Sequence, residues 1–116
     1  MTAYLNSNKV ADLCYEVGEE NLPILVSIFL DELDGYKSVL SGEPDELESP
    51  LSEISHALKS SAASFGADHL CEMAVNFDAL VKAGEKINTS QNRESILACL
   101  NETIRAYREL STDQFS

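Results

Sequence analysis

Two histidines, three cysteines and twenty carboxylates are the side chains of this 116-residue chain that could react or bind a reacting group. His56 stands in the most suggestive setting. Lys59 follows it at i+3, Ser60 at i+4 and Ala63 at i+7, with Ser52 one turn before, and on an α-helix these positions share a face. The apolar positions Leu51, Ile54, Leu58, Ala62 and Phe65 fall on the opposite side, so the spacing points His56 to solvent. A neutral imidazole, a group that titrates near ~6.5, is a nucleophile able to accept a phosphoryl group. An ammonium one turn away would stabilise the phosphoryl oxygens, and small neighbours would let a partner's active site close over the ring. A solvated helix face can also carry a histidine with no task, and residue types and spacing alone leave both readings open.

Other candidates have less behind them. His69 lies in the first turn of a later helix, where a positive ring is opposed by the helix dipole, and it reads as a surface residue without a role. Cys14, Cys71 and Cys99 show no CxxC and no zinc-type spacing. They read as reduced thiols packed inside a cytosolic protein, and no metal or cofactor site is expected. Phe29, Leu33, Phe65 and Phe77 recur at helical spacing and belong to a core. No glycine-rich phosphate loop, GxSxG elbow or HExxH pair occurs.

Eight basic against twenty acidic residues leave a formal charge of −12. That balance repels nucleic acid and anionic membrane, whose binding rests on Lys and Arg, and it would steer in a partner with a basic docking face. Met1 to Ser7 carries no positive segment, and the longest nearly apolar run, Leu22 to Leu30, is nine residues. Neither a signal peptide nor a membrane span is expected.

The elements that must position His56 all read as helices. Glycine and proline are sparse and fall between apolar runs of period 3.6. A short first helix is predicted over about Asn8 to Val17, stopped by Gly18. A second begins near Asn21 as N-cap with Pro23 in its first turn, carries Leu22, Leu25, Phe29, Leu33, Tyr36 and Leu40 inward, widened by Ile28, and ends at Gly42. Gly42 to Glu46 is an acidic, turn-forming linker. The third helix is established by Ser49-Pro50, with Pro50 either starting or bending it, and Gly66 is placed for a left-handed cap. The fourth covers about Asp68 to Ala83, with Leu70, Met73, Ala74, Phe77, Leu80 and Val81 inward and Gly84 as its stop. Thr89 or Ser90 caps a fifth with Ile96, Leu97, Leu100, Ile104, Tyr107 and Leu110 inward, ahead of a fraying polar tail. Four long amphipathic helices with short links make an all-α antiparallel four-helix bundle with a short extra N-terminal helix, one domain over residues 1–116.

The run from His56 to Leu70, His-Ala-Leu-Lys-Ser-Ser-Ala-Ala-Ser-Phe-Gly-Ala-Asp-His-Leu, resembles the signature of histidine-containing phosphotransfer domains: HxLK, a small residue, an apolar residue before GA, and Leu three positions on. Val17-Gly18-Glu19-Glu20 followed by Leu25, Phe29 and Glu32 is similar to the family's entry into its second helix, so the resemblance spans nearly the whole chain. It implies that His56 is the phosphoacceptor, that Lys59 stabilises the phosphate, and that Ser60, Ala63, Gly66 and Glu32 belong to the partner-docking region. Ser60 departs from the glycine many members carry, and its hydroxyl adds a hydrogen-bonding group there. Asp31 or Glu32 would tune partner choice through association rate.

The resemblance further implies a monomeric cytoplasmic carrier between two receiver domains, one from a hybrid sensor histidine kinase and one from a response regulator. The partner receiver would supply Mg²⁺ and the acyl phosphate, and with no nucleotide-binding motif the chain would not phosphorylate itself from ATP. The alternative is a helical adaptor that binds a partner protein without chemistry.

Overall fold

The structure, a computed structural model, describes the backbone of residues 3–115 and side chains through residue 110. The expectations for Met1, Thr2 and Ser116 lie outside the described residues. Five α-helices follow one another: α1 (Ser7–Val17), α2 (Leu22–Leu40), α3 (Glu48–Phe65), α4 (Asp68–Lys82) and α5 (Ser90–Phe115). One 3₁₀ turn, Pro44–Glu46, tightens the acidic linker. No strand occurs among the described residues.

Local chemistry accounts for the helix ends. Asn6 caps α1, its Oδ1 accepting from the amides of Asn8 and Lys9. Asn21 precedes α2 but makes no side-chain cap; its Nδ2 donates instead to the Val17 carbonyl at 2.7 Å, closing the end of α1. Pro50 sits in the first turn of α3, where its missing N–H costs nothing, so it starts the helix and does not bend it. Gly66 ends α3 at φ +81° in the left-handed region. Thr89 Oγ1 caps α5 by accepting from the Asn92 amide, and that helix runs on through Phe115, beyond the point where the tail was expected to fray.

The helices run up and down. α2 lies antiparallel to α3, with Phe29 stacked on Phe65 at 4.4 Å and Glu32 level with Ser61. The short Gly66-Ala67 link folds α4 back along α3, and these two share the most extensive interhelical interface. α5 packs mainly on α2, and Tyr107 meets Phe29 edge-on at 5.3 Å while its hydroxyl donates to the Phe65 carbonyl. Leu22, Val26, Phe29 and Leu33 of α2, Leu51 and Leu58 of α3, Leu70 and Ala74 of α4, and Ile96, Leu100 and Tyr107 of α5 form one buried core.

Several predicted inward positions turn out otherwise. Ile28 and Leu80 are exposed, because each sits on the margin of its stripe where no neighbouring helix covers it. Val26 of α2 and Asp78 of α4, neither of them a predicted inward position, are buried. Leu25, Tyr36, Met73, Val81, Leu97 and Leu110 are half-buried, and Cys99 alone of the three thiols is buried, with Cys14 and Cys71 partly open.

Candidate functional site

His56 projects from α3 with 68% of its side chain exposed, the consequence of Leu51, Leu58 and Ala62 taking the opposite side into the core. Its Nδ1 lies 3.3 Å from Oδ1 of Asp78 on the antiparallel α4. Lys59 Nζ donates to Oδ2 of the same carboxylate at 2.6 Å, and Lys82 Nζ, one helical turn after Asp78, approaches Oδ2 at 2.9 Å. His56 and Lys59 therefore meet through Asp78. The carboxylate is only 8% exposed, whereas Lys82 is 64% and Lys59 28% exposed.

The electrostatics follow from that arrangement. Hydrogen bonds from Lys59 and then Lys82 hold the Asp78 carboxyl well below the usual carboxylate range, against a burial effect that acts the other way. Asp78 in turn pushes the Lys82 ammonium up. An ionised carboxylate can only accept, so the imidazole hydrogen bond requires the proton on Nδ1. That tautomer leaves the lone pair on Nε2, on the side of the ring away from Asp78. The site thus holds two ammonium groups against one carboxylate, a local positive excess in a chain of formal charge −12. Among the described residues no group of three or more His, Cys, Asp or Glu is placed to hold a metal ion.

Of the remaining residues singled out in the sequence, Ser60 and Ala63 are exposed on α3, in a face continued by Ala57 and Ser64. Glu32 is half-buried beside it and accepts from Tyr36 Oη at 2.7 Å and Ser61 Oγ at 3.0 Å. Burial, then the Glu32 hydrogen bond and charge, push the Tyr36 phenol up to about 12. Gly66 is not on this surface. It is buried, its carbonyl accepts from the Asn6 amide at 2.7 Å, and a Cβ built on it would lie 2.9 Å from Lys9 Cβ. The structure that approaches it is the chain's own N-terminal segment. His69 packs against Tyr4 with the ring centroids 4.8 Å apart and the planes tilted by 40°, and takes no part in the His56 cluster.

Asp78 and Lys82 were missed in the sequence. The signal was present: Leu70, Ala74 and Asp78 recur every four residues, which puts a carboxylate on an otherwise apolar stripe, and Lys82 follows at i+4.

The sequence is similar to known proteins along nearly its whole length. The sequence profile described as "Hpt domain" matches residues 24–109. The chain is 49% identical to the phosphorelay protein LuxU of Vibrio cholerae over 95% of its length and 98% of the relative's. It is 43% identical to LuxU of Vibrio vulnificus strain YJ016 over 96% and 97%, and 45% identical to LuxU of Vibrio harveyi over 92% and 95%. No solved structure gives a significant match.

Proposed function

This chain belongs to the Hpt domain family, and we propose that it is a phosphorelay carrier in which Nε2 of His56 accepts a phosphoryl group from a receiver-domain aspartate and passes it to another. The observation that carries this reading is the exposed imidazole whose Nδ1 faces an ionised carboxylate flanked by two lysines.

The step balances without a base. The Nε2 lone pair attacks phosphorus, the P–O bond of the aspartyl phosphate breaks, and the aspartate carboxylate leaves with the bonding pair. Nδ1 keeps its proton, so the ring gains positive charge, which Asp78 opposes from 3.3 Å. Lys59, held on the same carboxylate, adds positive charge beside the ring that favours the incoming phosphoryl group. In the reverse step the ring is the leaving group and returns to the neutral Nδ1–H form. Mg²⁺ and the acyl phosphate come with the partner receiver, and this chain contributes the nucleophile, its tautomer and nearby positive charge.

The partners in this reading are the receiver domain of a hybrid sensor histidine kinase and that of a LuxO-like response regulator, in a quorum-sensing relay in the cytoplasm. The exposed face of small residues, Ala57, Ser60, Ala63 and Ser64, would admit a receiver close to the ring, with Glu32 at its edge. No helix among the described residues is long and apolar enough to cross a membrane. The test is incubation with a phosphorylated receiver domain and Mg²⁺. Acid-labile, base-stable phosphate is expected on the wild type and none on His56→Gln; labelling that survives the substitution would overturn the assignment.

A further inference from the structure

Asp78 holds one more cation than it can neutralise. Both ammonium groups sit on the same oxygen, Oδ2, at 2.6 Å for Lys59 and 2.9 Å for Lys82, so they repel each other, while Oδ1 faces the imidazole. The carboxylate is buried on a helix and cannot follow a new ligand. Lys82 can: its side chain is 64% exposed, it stands in the last turn of α4, and an exposed i,i+4 pair opens at little cost.

We propose that Lys82 is a second phosphoryl-binding cation, held on Asp78 while His56 is unmodified and transferred to the phosphoryl oxygens when Nε2 is phosphorylated. The proposal rests on the assignment of His56 as phosphoacceptor and extends it. The charges account for the exchange. Phosphorylation puts positive charge on the ring beside Oδ1 and roughly two negative charges on the phosphoryl group. With the charged ring at Oδ1 and Lys59 at Oδ2, a third cation on Asp78 is repelled, and the freed Lys82 meets the phosphoryl oxygens. Lys59, less exposed and at the shorter distance, keeps its place. Lys82 binds the phosphoryl group and takes no proton or electron pair.

The test uses the full chain loaded with phosphoramidate, whose P–N bond breaks with loss of ammonia as the Nε2–P bond forms, so no partner protein is needed. Two readings are made on the phosphorylated protein: the ¹⁵Nζ resonance of Lys82, with Lys86 as reference, and the ³¹P titration midpoint of the phosphoryl group. Phosphorylation is expected to move the Lys82 resonance and leave that of Lys86. Lys82→Gln should raise the ³¹P midpoint by about 0.3–0.5 of a pH unit, because a cation beside a dianion resists its protonation, and Lys82→Arg should restore it. An unmoved Lys82 resonance, or a Lys82→Gln midpoint equal to wild type, overturns the proposal while leaving the phosphorelay reading intact. Failure of His56 to take phosphate from phosphoramidate and from a phosphorylated receiver alike sinks that reading, and this inference with it.

Discussion

Lys9 meets Asp68 at 3.3 Å at the turn of the α3–α4 hairpin, and further along the same hairpin Lys59 meets Asp78 at 2.6 Å. The residue types are the same and the settings differ. Asp68 stands in the first turn of α4, where unpaired amides favour negative charge, and Asn6 Nδ2 donates to it at 2.7 Å. One ammonium, about half exposed, balances it, and the group ties the N-terminal segment to the turn. Asp78 lies toward the other end of α4, where the dipole offers a carboxylate no support, and it is nearly buried. Two lysines and an imidazole gather on it, leaving positive charge over. A surface pair that balances its charges holds structure in place; a buried carboxylate carrying excess cations beside an open nucleophile can serve a reaction.

Substituting each aspartate by asparagine breaks the comparison most directly. Asp78→Asn, which loses the fixed Nδ1–H tautomer and the charge opposing the phosphorylated ring, should slow single-turnover phosphotransfer by about 10- to 100-fold. Asp68→Asn should leave the rate within about twofold, since it orients nothing at His56. Equal losses would erase the distinction between the two pairs.

Stability should respond the other way round. Gly66→Ala places a Cβ in the left-handed region and against Lys9 and the Asn6 carbonyl, and urea unfolding should show a loss of about 2–4 kcal/mol. The folded fraction should still transfer phosphate, because Gly66 lies outside the His56 face.

Acid titration sharpens the contrast further. Both carboxyl groups are held low, Asp68 first by the Asn6 hydrogen bond and Asp78 first by Lys59. Followed by carboxyl ¹³C shifts, Asp78 should stay ionised from pH 8 down to about 4 and protonate below Asp68. Because folding lowers the proton affinity of Asp78, the stability it lends is present above the ordinary carboxylate value of ~3.9 and lost as pH falls through the folded one.

The smallest effect concerns the edge of the docking face. Glu32→Gln should bring the Tyr36 phenol only part of the way down from about 12, read at 295 nm, since burial is the largest single cause and remains. A full return to the ordinary value of ~10 would show that Glu32, not burial, controls this phenol.

Much of this was legible in the chain. Helical order, the left-handed Gly66 cap and the outward direction of His56 are local consequences of periodicity and backbone freedom, and they hold in the structure. Margins of the stripes were less legible: Ile28 and Leu80 count as apolar in any pattern, yet whether a neighbouring helix covers them depends on crossing geometry. Lys59 was expected to lie beside His56 as an open surface cation; it is largely covered and held by a carboxylate nineteen residues away.

What the chain dictated on its own was which residues turn inward along each helix, because a 3.6-residue period ties side-chain direction to sequence position. That was enough to present an imidazole to water on a rigid support. Which charged groups would surround it was decided only when α4 folded back along α3 and brought Asp78 and Lys82 to the face carrying His56 and Lys59. Electrostatic partnership between helices depends on register and separation of a few ångströms, and neither is written in the periodicity of either helix alone.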